Sequence, residues 1–160
     1  MTLADVPSAD VAWERFYPVG IGLAAAAATV AASPNFFSFA TQEHWHLEVL
    51  YLAGFEFASV ATSFLFTFFM FVIAADSGFI AKMKSSIYYG RMIGFTARAL
   101  ALGVILALAS LPLMVIQPIP ISRWSWETAV VAIWVFIAAW TVGAFVRTVR
   151  QFIAFATADL

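Results

Sequence analysis

Glu43-His44-Trp45-His46-Leu47-Glu48 gathers both histidines of the chain and two of its nine acidic residues. Imidazole and carboxylate together are ligands for zinc or copper. On a helix, positions two apart point about 200° apart, so His44 and His46 could not share an ion, although His44 and Glu48 would share a face. In an extended segment His44 and His46 fall on one side and could chelate a metal with Glu43 or Glu48. The set His44, His46, Glu48 is therefore a weak metal site that requires a non-helical chain, and no other histidine or cysteine exists to complete it. The simpler expectation is a polar stretch where a helix leaves the bilayer, with Trp45 anchoring the interface.

Glu56, in "AGFEFAS", raises a different chemistry, because it lies inside a long apolar run. Counted inward from Leu47 at 1.5 Å per residue it is about 14 Å deep, near the midplane of a hydrocarbon core about 30 Å thick. A carboxyl at that depth is costly and needs a partner or a function. The candidate partner is Arg98, in "FTARALAL", about 9 Å in from the other side. The two backbone depths then differ by only about 7 Å, within reach of two long side chains. A Glu56–Arg98 pair would fix helix register. A protonated Glu56 bonded to Ser59, Ser63 or a carbonyl is a second structural solution. The functional alternatives are a carboxylate ring along a cation pathway and a proton-binding site.

Catalytic templates are missing. There is no GxSxG, P-loop, HExxH or strand-linked GxGxxG, and no serine or histidine sits beside a buried acid at a nucleophile's spacing. No enzyme activity is expected. No cofactor is expected either, since no histidine lies inside an apolar span to hold haem and the chain has no cysteine for thiolate-bound zinc, iron–sulfur or disulfides.

The elements that must hold these residues follow from composition. Of 160 residues, 64% are hydrophobic and only 11% charged, and mean hydropathy is +0.95. A water-soluble domain would carry about a quarter charged residues. Four apolar spans are legible at about 16–33, 47–75, 92–116 and 126–146, each long enough for a crossing of about 20 residues. Ser125 is placed to cap the fourth span, with Glu127 in its first turn. The expected fold is an all-α membrane protein, a four-transmembrane-helix bundle over 16–152, with an N-terminal segment 1–15 and a short tail 153–160.

Arg15, Lys82, Lys84, Arg91, Arg98, Arg147 and Arg150 fall toward one side of these spans, and Arg123 alone on the other. The positive-inside rule makes the basic side cytoplasmic, with both termini there. Trp45, Trp124 and Trp126 mark the outer interface, Trp13, Tyr17, Tyr88 and Tyr89 the inner one. Arg15 followed by an alanine-rich run and "VAASPN" also has the outline of a secretory signal. The acidic leader "MTLADVPSADVAWER" argues against it and is expected as a short interfacial helix with Val11, Trp13 and Phe16 toward lipid.

Two surfaces complete the reading. Gly20, Ala24, Ala28 and Ala32 recur at every fourth position, a small-residue ridge expected to pack helix against helix, with Gly22 and Ala26 beside it. Gly143, between Trp140 and Arg147, also permits a close crossing. Lys82, Lys84, Arg91, Arg147 and Arg150 form a cytoplasmic basic patch suited to anionic lipid headgroups or to a cytoplasmic protein partner. A net charge of −1 gives no reason to expect nucleic acid.

In length and topology alone the chain resembles small four-span membrane subunits of bacterial anti-phage systems such as Kiwa, and equally accessory subunits of respiratory or transport complexes. No diagnostic residue carries that resemblance. It implies a multi-pass protein of the bacterial inner membrane. Two functions are expected from these features. One is a homo-oligomer that forms an ion pathway or acts as an effector or sensor, centred on the intramembrane carboxylate. The other is a non-conducting accessory subunit that recruits a cytoplasmic partner.

Overall fold

The computed structural model describes residues 8–74, 87–120 and 122–157, with the side chains of 8–12, 14, 15, 87, 88 and 155–157 left aside. Four helices account for nearly all of it: α1 Ser8–Gln42, α2 Leu47–Ala74, α3 Ile87–Ile116 and α4 Trp126–Thr157. Each contains a stretch of 27 to 29 residues long and apolar enough to cross a membrane. The chain is a multi-pass integral membrane protein.

Three helices outrun the spans read from hydropathy. α1 begins at Ser8, so the part of the leader that is described is continuous with the first crossing, and it passes through Pro34 to Gln42. A proline inside a helix loses one hydrogen bond, but the apolar Phe37 and Ala40 beyond it are buried and hold the last turns in place. α3 starts five residues early and α4 runs on to Thr157, because basic and polar residues end an apolar span without ending a helix. α2 matches its expected span to within a residue.

The helices form an open row, α1 against α4, α4 against α3, α3 against α2, with a thin seam between α2 and α4. The three closely packed pairs are antiparallel, and α2 and α4 run parallel across their seam. Between apolar helices in lipid there is no hydrophobic drive to associate, so close van der Waals fit and hydrogen bonds must do it. Two glycines show the fit. A Cβ on Gly143 would lie 3.1 Å from Cα of Pro18, so α1 and α4 cross there in near backbone contact. A Cβ on Gly54 would lie 2.5 Å from Cζ2 of Trp134, so the indole occupies the room a side chain would take. Around that indole Tyr51, Ala58, Leu106 and Leu113 form one core cluster, with Tyr51 edge-on to Trp134 at 5.1 Å between ring centroids. Further along, Leu65, Ala99, Leu102 and Ala144 form the next layer, and Val72 and Met92 a third.

Hydroxyls close the seams. Trp134 Nε1 donates to Ser110 Oγ at 2.9 Å, both buried. Ser33 of α1 meets Thr128 of α4 at 3.2 Å. Thr128 donates in turn to the Ser122 carbonyl at 2.6 Å, and its backbone N–H donates to Ser125 Oγ at 3.3 Å, which makes Ser125 the N-cap expected for α4.

Candidate functional site

His44 and His46 belong to two different helix ends, and that decides their chemistry. α1 closes with Trp45 N–H on the Ala40 carbonyl at 2.9 Å and His44 N–H on the Thr41 carbonyl at 3.2 Å, around a left-handed His44 with φ 54°. This is a Schellman closure, and His44 fills the position that glycine usually takes. His46 opens α2 instead: its carbonyl accepts from Val49 N–H at 3.0 Å and its Nδ1 lies 3.4 Å from Glu48 Oε1. Glu48 Oε2 accepts from Gln117 Nε2 at 2.7 Å, tying the turn to the end of α3. Of the weak metal set His44, His46 and Glu48, only His46 and Glu48 meet, and no group of three metal-binding residues forms among the described residues. Trp45 packs edge-on against Phe36 and Phe39 at 6.0 and 5.9 Å, and is half exposed at the boundary as an anchor would be.

Glu56 and Arg98 are not brought together. Gly54 sits opposite Ser110, and Gly103 opposite Ala58 and Thr62, so Arg98 is level with residue 66 of α2 or nearby. That is about 10 residues, or about 15 Å, from Glu56. The depth count failed because it fitted both spans into a core of about 30 Å, whereas α2 has 28 residues and α3 30, or more than about 40 Å of helix, and the extra length lies between the two positions. The two also point apart. No ion pair joins them; Arg98 instead lines a groove beside α1 and α4.

Glu56 occupies a special face. The buried residues of α2 are Tyr51, Ala58, Ala61, Leu65 and Val72. At 100° per residue Glu56 lies about 180° from their mean direction. It is exposed, and so are Ser63 and Thr67, with Ser59 half-buried at the edge of the same face. The spacing of these four residues, three, four and four, is a helical stripe. Ser59 does not bond to the carboxylate: its hydroxyl donates to the Phe55 carbonyl at 2.8 Å, and Thr67 donates to the Ser63 carbonyl at 2.9 Å. With those protons turned to the helix's own backbone, the oxygens keep their lone pairs outward. The stripe is a row of acceptors. Val49 and Leu52 lie above it and Met70 and Phe71 below, all exposed.

The small-residue ridge of α1 also faces outward. Gly20, Ala24, Ala28 and Ala32 are exposed, and a Cβ on Gly20 would meet nothing within 4 Å. Within the chain α1 packs through its other side, with buried Pro18, Gly22, Ser33, Phe37 and Ala40.

The basic patch divides. Lys82 and Lys84 lie outside the described residues, and Arg91 and Arg150 are exposed. Arg147 departs from the expectation of a surface residue. It is 6% exposed, and its guanidinium lies over the Phe95 ring at 4.1 Å from the centroid. Its place three residues after Ala144 and four after Gly143 was the available signal, since a face that crosses closely at Gly143 continues through Arg147 one turn later. The Ser110–Trp134 bond had no such signal, because partners on separate helices depend on register.

Comparison with known proteins adds no relative: no family model matches the chain, and neither does any curated protein or solved structure.

Proposed function

We propose that this membrane protein works as a homo-oligomer in which the Glu56 face of α2 is turned toward a shared axis, where it forms a cation pathway. The observation that carries this reading is the direction of Glu56, opposite the core of its own chain and near mid-depth in the span. An ionised side chain at the centre of a lone helix in lipid costs about 2.5–3.5 kcal/mol or more, and such residues nearly always face protein or a water-filled cavity. Among the described residues one copy of the chain supplies neither on that face, and further copies packed there would supply both. A ring of carboxylates with outward hydroxyl oxygens on its inner side, at Ser59 and Thr67, favours cations and repels anions.

A non-conducting accessory subunit is the second reading. The stripe stops at Thr67, and Met70 and Phe71 continue the face in apolar form, which suits a closed polar contact between helices as well as a gated path. Cation flux into proteoliposomes separates the two. The pathway reading expects a leak that Glu56→Gln reduces by tenfold or so, the cost of about 1.4 kcal/mol in a barrier. Flux equal to empty liposomes at every ionic gradient, from protein that is assembled and folded, leaves the accessory reading standing.

A further inference from the structure

We infer that the groove between α1, α3 and α4 at the basic end is a binding site for an anionic phospholipid, independent of the Glu56 face. α1 packs on α4 and not closely on α3, and the gap left between α1 and α3 is a groove of about 420 Å³. Its wall is Phe16 and Val19 of α1, Ala101 of α3 and Trp140 of α4, together with Arg98 and Arg147. A second groove of about 370 Å³ shares Arg147 and continues past Trp13, Tyr17, Arg150 and Gln151. Phe95 opposes Arg147 and Leu102 opposes Thr141, so Arg98 and Arg147 differ in depth by only about two residues, or about 3 Å.

The groove is therefore graded. Val19, Ala101 and Trp140 are at its deep end, Arg98 and Arg147 at mid-length, and Arg150 one turn beyond. No carboxylate is among its described lining residues. The exposed guanidiniums of Arg98 and Arg150 select an anion, and guanidinium matches the geometry of a phosphate. An apolar deep end that opens toward hydrocarbon selects an acyl chain over water. Basic pockets between membrane helices on the cytoplasmic side suit such headgroups. Arg147 is pre-positioned by its stacking on Phe95, which lowers the ordering cost of binding. Gln151 adds a buried Oε1 with no hydrogen-bond partner among the described residues, an acceptor suited to a headgroup hydroxyl and not to the phosphate itself.

Native mass spectrometry of the full chain, released from detergent with added phosphatidylglycerol or phosphatidylcholine, tests this. Phosphatidylglycerol should bind in preference. Arg98→Gln and Arg150→Gln, both at exposed positions, should each weaken it about fivefold, and the double variant about 25-fold, with melting unchanged. Arg91→Gln, at the same end but outside the groove, should leave binding as it is. Equal binding of the two lipids, binding unaltered in the double variant, or an equal loss in Arg91→Gln would overturn the assignment. Displacement of the lipid by millimolar inorganic phosphate would also overturn it, by showing a site for a soluble anion.

Discussion

Ser110 and Glu56 lie at nearly the same depth in this molecule, on opposite sides of α2. Ser110, on the α3 face packed toward α2 and α4, accepts from the Trp134 indole and donates to its own backbone, in a pocket that Gly54 keeps open. Glu56, on the far side of α2, meets no described side chain as a partner. The first region is complete in one chain. The second has the same polar character and none of the closure, and the Ser59 and Thr67 hydroxyls that continue its face turn their protons inward and their lone pairs out. Polar groups in a bilayer are costly wherever they are. A difference in how they are satisfied thus separates what holds the fold from what meets another molecule.

The largest effects are expected where the inner region is broken. Gly54→Leu would drive a side chain into Trp134, and Gly143→Leu into the Pro18 backbone. Overpacking costs about 1–3 kcal/mol, more where backbone cannot give, so both variants should melt well below the native protein. Near-native melting of either would mean that the helices do not approach as closely as described. Ser110→Ala should come next. It leaves the buried Trp134 N–H without an acceptor, a loss of about 1–3 kcal/mol read as a lower melting temperature. The effect should vanish when Trp134→Phe is made first, because then no donor is stranded.

Much of the inner region was legible beforehand and much of the outer was not, for physical reasons. Apolar length identifies crossings, because lipid demands it, and Ser125 before Trp126 announced a cap. Helix ends at the basic side were misread, since hydropathy follows the membrane and α4 simply continues through Arg147 and Arg150 into the interface. Glu56 was legible as an anomaly, but its separation from Arg98 was not. Depth can be counted along one helix, whereas the register between α2 and α3 depends on Gly54, Thr62 and Gly103, whose contacts no single segment reveals. The histidines offered a ligand set only in an extended segment, and the chain there is not extended. The backbone there reverses through a left-handed His44 and separates the two rings into two helix ends.

Smaller effects sharpen the outer region. Glu56→Gln should change melting by no more than about 0.5 kcal/mol, as substitutions outside any packed or paired feature do, while altering assembly or flux. Ala24→Leu, on the exposed ridge of α1, should be as mild in melting and also silent in assembly. If it disrupts the oligomer while Glu56→Gln does not, the subunits meet through α1 and the α2 face looks at lipid. His44→Ala with His46→Ala should be the mildest in metal content, leaving any zinc or copper in the purified protein unchanged, with a modest loss of stability from the altered α1 ending.

The most direct measurement uses the absence of native cysteine. Val60, one turn from Glu56 on the same face, is 71% exposed, and Leu108, level with Glu56 on the outer side of α3, is 63% exposed. In native membranes, Val60→Cys should form disulfide-linked dimers on mild oxidation and Leu108→Cys should not. Cross-linking at 108 with none at 60 would contradict the placement of α2 at the subunit axis.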